Sequence, residues 1–258
     1  MIARRADTDG VDSAVVERDY VLAHIVGQLH SAKPKDGGRL VFKGGTALRL
    51  VHIGEYRYSA DLDFSVVRGT AEAAIASVPE VLETAREFAG FPHLELTQAN
   101  KPKIAYIGPL ESRKPREVKL DIATDEYVET VEQLGIRPVW QDLPDAVPFD
   151  VYPISEVGAE KLRCIIQRVQ CRDLYDLYRL VDDMDFSVAD NRPLFERKSA
   201  AKGIDPSSFR ERFEDRVDRY KDRWGTEMPE HLADPPRFDD VVRVVRRHLK
   251  AGGLLSGD

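Results

Sequence analysis

The sequence predicts an α/β protein of the α+β kind, with a mixed-sheet core over residues 1–150 and a helical C-terminal lobe over residues 151–258. Three observations carry this. Leu40 to Val67, LVFKGGTALRLVHIGEYRYSADLDFSVV, reads as strand, glycine turn, short helix, connector and second strand. Glu117 to Ala123, EVKLDIA, alternates apolar and charged residues with the period of a half-buried strand. From Ser155 onward apolar residues recur instead at the three-to-four spacing of helices.

Bulk properties narrow the class. The chain has 258 residues, 42% hydrophobic and 32% charged, a composition that can bury a sizeable core and does not fit disorder. No stretch approaches the roughly 20 apolar residues of a membrane span. The opening MIARRADTDGVDS has no apolar segment of the secretory kind. Cys164 and Cys171 fall in one expected helix, and no Cys/His cluster has zinc spacing, so the thiols read as core fillers in a reducing cytoplasm. A net charge of −7 argues against coating nucleic acid through charge alone, while leaving room for a local basic groove.

Taken in order, residues 1–12 are polar and are expected to be frayed or loosely packed. Val15 to Leu29 has helical periodicity, with Glu17, Arg18 and Asp19 expected on a solvated face. Ser31 to Gly38 is a loop. Thr70 to Gly90 is a helix that Pro79 is expected to kink or divide. Leu94 to Leu96 and Ile104 to Ile107 form a hairpin around Asn100–Lys101–Pro102. Residues 124–148, with Pro138, Pro144 and Pro148, are a connection holding a short strand over Ile136 to Trp140. Ser155 is the expected N-cap of the next helix. After Ser187 the chain is helical and highly charged. Phe209, Phe213, Val217, Tyr220 and Trp224 make one packing stripe. In 239–250, Val241, Val242, Val245 and Leu249 oppose a basic band of Arg243, Arg246, Arg247, His248 and Lys250, which is either a solvated face or the wall of a groove facing RNA.

The chemistry concentrates in the central stretch. Gly44 and Gly45 let the backbone bend sharply and approach a ligand, and Thr46 is placed to cap the helix whose N-terminal N–H groups favour an anion. The same residues also suit an ordinary turn. Arg57 can grip a triphosphate in a bidentate way, and Ser59 can hydrogen-bond a phosphate or orient Asp61. Asp61 and Asp63 are two apart on a strand, so they share a face while Leu62 and Phe64 face the core. Side by side they repel unless a cation neutralises them, and Mg²⁺ is the natural one; the alternative is an acidic exposed edge. Asp121, between Leu120 and Ile122, adds a third acid. If its strand lies beside Asp61 and Asp63, the three carboxylates can hold two metal ions that clamp an in-line phosphoryl transfer. In Ser155 to Val181, SEVGAEKLRCIIQRVQCRDLYDLYRLV, Lys161 stands among apolar neighbours, and Asp173 and Asp176 share a helix face beside Arg172, a spacing that by itself reads as surface ion pairs.

These motifs carry a resemblance. G-G-T-x-L, then S-x-D-x-D, then an apolar-Asp-apolar strand resemble the DNA polymerase β-type nucleotidyltransferases. The fuller K-G-G-T-A-L…R-Y-S-A-D-L-D-F, with S-E-x-x-A-E-K-L-R and R-x-x-x-R-D-L-Y-D-L, is similar to the AbiEii/AbiGii toxin family, which includes the MenT toxins, over roughly residues 15–185. The resemblance implies a nucleotidyltransferase core whose metals are held by Asp61, Asp63 and Asp121. It implies that Gly44, Gly45, Thr46, Arg57 and Ser59 contact the nucleotide, that Lys161 binds its phosphates, and that Asp173 completes the active site from the helical lobe across a cleft. Asp176, Arg168 and Arg172 carry over less directly.

The same resemblance implies a reaction and partners: Mg²⁺-dependent transfer of an NMP from an NTP to an RNA hydroxyl, at the 3′ end of tRNA, by the toxin half of a toxin–antitoxin pair. The antitoxin would be encoded nearby, the compartment would be the cytoplasm, and no membrane would be involved. Two other outcomes fit the residues: an enzyme of the same fold acting on a protein hydroxyl or a small molecule, and a non-catalytic NTP-binding module.

Overall fold

A computed structural model describes residues 1–97 and 102–255. The chain divides into two compact units, residues 1–124 with 131–152 and residues 125–130 with 153–258. Residues 151 and 152 fall in the first unit, and the six-residue strap 125–130 falls in the second.

The first unit opens on α1 (Ile2–Asp9) and α2 (Ser13–Gly27). The expected frayed start is a helix instead, because Ile2 and Ala6, one turn apart, bury against the core and Asp9 accepts a hydrogen bond from the Tyr58 hydroxyl. Asp12 caps α2 by accepting from Ala14 N at 2.7 Å. After β1 (Arg39–Lys43), a single helical turn, α3 (Gly44–Ala47), widens into a π-turn over Leu48–Ile53. Then come β2 (Asp61–Val67), α4 (Ala71–Ala89), β3 (His93–Thr97), β4 (Lys103–Ile107), β5 (Arg116–Ala123), β6 (Glu132–Leu134) and β7 (Phe149–Val151).

These strands form one mixed sheet in the order β3-β4-β5-β2-β1-β7-β6. The centre is β5, β2 and β1: β2 runs parallel to β5 and antiparallel to β1. One face of β2 and β5, with Leu62, Phe64, Val118 and Leu120, is buried beneath α2 and α4 in a single core cluster. The strand expected over Ile136–Trp140 is absent; Ile136 and Trp140 are buried as irregular chain, and the pairing strand is Glu132–Leu134. Pro79 lies within an unbroken α4, capped by Thr70 and closed by Gly90 in the left-handed conformation. The hairpin of β3 and β4 is present; the Asn100 and Lys101 of its turn lie outside the described residues.

Of the expected solvated face of α2, Glu17 and Asp19 are buried and Arg18 is half-buried. Glu17 and Asp19 are at most 2% exposed. Asp19 receives both sides of the Arg49 guanidinium and the Trp140 indole N–H at 3.2 Å. Glu17 accepts from Leu110 N at 2.6 Å and from Arg116 at 2.5 Å. Each buried charge therefore has a partner, the condition for burying it at all.

The second unit is helical: α5 (Ile154–Gln167), α6 (Cys171–Asp183), α7 (Val188–Ala201), α8 (Phe209–Glu227) and α9 (Phe238–Ala251). The single helix expected to hold both cysteines is broken at Arg168–Gln170, so Cys164 lies in the last turn of one helix and Cys171 starts the next. Pro153, not Ser155, occupies the N-cap of α5. Phe209, Phe213, Tyr220 and Trp224 are buried as their spacing predicts, with Val217 half-buried at the margin. The strap 125–130 is held by Glu156, which accepts from Glu129 N at 2.7 Å and Thr130 N at 2.9 Å and pairs with the fully buried Lys198 at 2.6 Å.

Candidate active site

The first unit's candidate site is built where β1 ends. Gly44 takes φ +78°, a left-handed conformation that a side chain strains, and a Cβ there would overlap the Asp63 carboxylate. At Gly45 a Cβ would strike the Arg57 guanidinium and come within 3.2 Å of Ser59 Oγ. The two glycines thus allow the backbone to close on Asp63, Arg57 and Ser59. Thr46 is not the cap foreseen from the sequence: it lies inside α3, and its hydroxyl donates to the Asp61 carbonyl at 2.5 Å, tying the turn to the start of β2. Arg57 is buried, donates to the Tyr58 carbonyl at 3.2 Å and lies 5.6 Å over the Tyr56 ring.

Strand register sets the acids. Asp63 is paired directly with Asp121 across β2 and β5, and Asp61 with Lys119. Registered residues project to the same face, and positions 61 and 63 share it, so all three acids lie on the sheet face opposite Leu62 and Leu120. Lys43, opposite Asp63 on β1, projects to that face as well; its buried amine stands 5.6 Å over the Tyr152 ring.

One cation on this acidic face is Lys119. Its amine donates to Asp121 at 2.6 Å. That hydrogen bond, with the charges of Asp121, Asp63 and Asp61, raises its pKa above the usual lysine value. All three carboxylates therefore act on one positive group. Among the described residues no three Asp, Glu, His or Cys side chains are gathered into a metal cage. The hard oxygen donors and the field felt by Lys119 nonetheless suit Mg²⁺, which takes one or two carboxylates and completes its shell with waters and substrate phosphates. The sequence showed Lys119 as the alternating neighbour of Asp121 but gave no sign that it would sit on the acids.

The second unit holds the other expected residues. Lys161 donates to Asp173 at 2.8 Å and lies 2.7 Å from Asp176, and Arg168 donates to Asp173 at 2.8 Å. Both aspartates are fully buried, which corrects the surface ion pairs that their spacing implied. Burial pushes the Asp173 carboxyl up, but Lys161 and Arg168 outweigh it and bring it down to about 2. Arg172 turns aside to Gln170 at 3.1 Å. Burial raises the Cys164 thiol to about 11 and Cys171 to about 12, so neither is a thiolate nucleophile at neutral pH.

A mixed sheet with a glycine corner facing strand-borne acids defines a protein of the nucleotidyl-transferring class. The family model described as nucleotidyl transferase AbiEii toxin, type IV TA system, matches residues 29–244, and the chain belongs to that family of nucleotidyltransferase toxins. The match continues through α7, α8 and into α9, beyond the point near 185 where the sequence motifs thin out.

Among solved structures, MenT4, a nucleotidyltransferase toxin from Mycobacterium tuberculosis H37Rv, is similar with a TM-score of 0.59 and 22% identity, covering 98% of this chain and 88% of that one. An antigenic nucleotidyltransferase-like protein from Paracoccidioides brasiliensis gives a TM-score of 0.46 and 13% identity over 81% of this chain and 91% of that one. No curated protein sequence matches the chain. No helix among the described residues is long and apolar enough to cross a membrane.

Proposed function

We propose that this toxin moves an NMP from a Mg²⁺-bound NTP to an RNA hydroxyl, at the 3′ end of a tRNA, and releases pyrophosphate. The observation that most supports it is the contact of Gly44 with Asp63 while Asp63 is in register with Asp121, because it puts an anion-accepting turn against an acidic face.

In this assignment Asp61, Asp63 and Asp121 would hold a pair of Mg²⁺ ions. Bound there, the ions supply Lewis-acid charge at the phosphorus and a more acidic acceptor hydroxyl. The chain's own groups do the rest. Gly44, Gly45, Thr46 and Ser59 contact the phosphates, and Arg57 and Lys161 neutralise them. Asp173, ionised down to about pH 2, keeps Lys161 charged and oriented, and so serves positioning rather than proton donation at neutral pH. Lys119, whose amine donates to Asp121, would have to release that carboxylate for a metal to be held by it. The product would be a tRNA blocked for aminoacylation, growth would stop, and an antitoxin encoded nearby would oppose this in the cytoplasm.

The test is incubation of the protein with labelled NTPs, Mg²⁺ and total RNA. Wild type should place label at RNA 3′ ends, and Asp61→Ala should not. Label in protein or in a small soluble product would refute the RNA acceptor. Equal labelling by Asp61→Ala would refute the carboxylate site.

A further inference from the structure

The groove between α8 and α9, within the second unit, has no part in the site described above. It encloses about 660 Å³. Val217, Phe238 and Val242 form its apolar floor, and the buried stripe of α9, Val241, Val245 and Leu249, is used elsewhere in packing. Around that floor stand five cations, Lys221, Arg243, Arg246, Arg247 and Lys250, against two acids, Asp218 and Asp239. The groove is therefore net positive, five minus two, in a chain whose net charge is −7.

The charges are also sorted along its length. On α9, Asp239, Arg243 and Arg247 form one row at four-residue spacing, and Phe238, Val242, Arg246 and Lys250 form the next. Each row ends in a pair of cations about 6 Å apart along the axis, Arg243 with Arg247 and Arg246 with Lys250. Arg243, Arg247 and Lys250 are exposed. The internal partners are surface pairs: Arg243 with Asp240 at 2.8 Å, Arg246 with Glu214 at 2.5 Å, and Lys221 with Asp239 at 3.8 Å. Such pairs contribute little and exchange readily for a phosphate.

We propose that this groove binds the sugar–phosphate backbone of the RNA acceptor, with its cations on the phosphates and Phe238 and Val242 against ribose and base. Two cation pairs at one-turn spacing beside an apolar strip with an aromatic suit a nucleic-acid strand, with its repeating phosphates and stacking bases, better than an acidic protein segment, whose carboxylates have no fixed repeat. The assignment rests on RNA being the acceptor.

The test uses the full chain and fluorescein-labelled unfractionated tRNA, titrated over a range of NaCl. In Arg243→Glu/Arg247→Glu/Lys250→Glu, affinity at low salt should fall more than about tenfold, and the log–log salt slope should shrink by about 2–3. Melting temperature and Mg-NTP binding should match wild type. The charge-matched control Arg4→Glu/Lys33→Glu/Lys35→Glu should keep wild-type affinity. Unchanged affinity and slope in the groove variant would overturn the groove while leaving RNA transfer standing, since wild-type labelling of RNA is scored separately. An equal loss in the control would reduce the effect to bulk charge and also overturn it. Wild type that retains poly-glutamate but neither binds nor labels tRNA would overturn both assignments and mark an acidic polypeptide as the occupant.

Discussion

Gly44 closes on Asp63 so tightly that the smallest side chain at position 44 would collide with the carboxylate. The corner and the acid are in consequence a single unit: neither keeps its place if the other gains an atom. Gly44→Ala combines that collision with a backbone at φ +78°. Nucleotidyl transfer should fall on the order of 100-fold, the scale of a displacement of about 1 Å at reacting groups. Single-turnover kinetics with labelled NTP check it; wild-type turnover in a folded Gly44→Ala protein would contradict it.

Lys119 competes with any divalent cation for Asp121. Lys119→Met removes that competitor and takes one positive charge from the acidic face. Divalent binding, read by electron paramagnetic resonance of Mn²⁺ added to the protein without nucleotide, should tighten severalfold. Weaker Mn²⁺ binding would show that the lysine supports the metal instead of standing in for it.

The Asp19–Arg49 pair braces the connector to the site, since Arg49 also donates to the Tyr56 carbonyl and stacks 4.0 Å over the Tyr58 ring. Asp19→Asn leaves a buried guanidinium without its counter-charge, at a cost of about 3–5 kcal/mol. Amide exchange should quicken over 56–61, the stretch with Arg57 and Ser59, before it does so in α4. Uniform quickening across the unit would mean simple global destabilisation.

Lys161 is the hub of two fully buried carboxylates. Lys161→Met should lower stability by about 3–5 kcal/mol, and adding Asp176→Asn should recover part of it by removing one of the buried negative charges that Lys161 balances. Denaturant melts of the single and double variants decide; a double variant no better than the single would break the pairing account.

Two histidines, the buried His24 and the half-buried His52, make stability depend on pH. His24 sits between Tyr20 and Phe91, and burial lowers its pKa against a weaker opposite pull from Asp142, 4.0 Å away. Burial lowers that of His52 too. The unfolded chain takes up these protons near pH 6.5 while the fold resists them, so stability present above that pH is lost as pH falls below it. The melting temperature should drop between pH 7.5 and 5.5, and the drop should shrink in His24→Phe/His52→Gln.

Much of the fold could be read from short-range pattern. Period-two alternation in EVKLDIA foretold both the buried Val118 and Leu120 and the outward Lys119 and Asp121. Helical spacing foretold Phe209, Phe213, Tyr220 and Trp224. The errors came where long-range contacts decide. Glu17 and Asp19 look like surface residues in sequence because Arg116 and Arg49 are distant along the chain. Asp173 and Asp176 look like surface pairs because nothing in their spacing shows the break at Arg168–Gln170 that turns α6 to bury them.

By itself the sequence determined the glycine turn, the side-by-side pair Asp61 and Asp63, and the family, since all three depend on residue types at fixed short spacings. Only the tertiary structure decided that Asp121 pairs with Asp63, that Lys119 occupies the acidic face, and that α8 and α9 enclose a basic groove. Those facts follow from which strands and helices become neighbours, and that is set by burial of apolar faces across the whole unit rather than by any local run of residues.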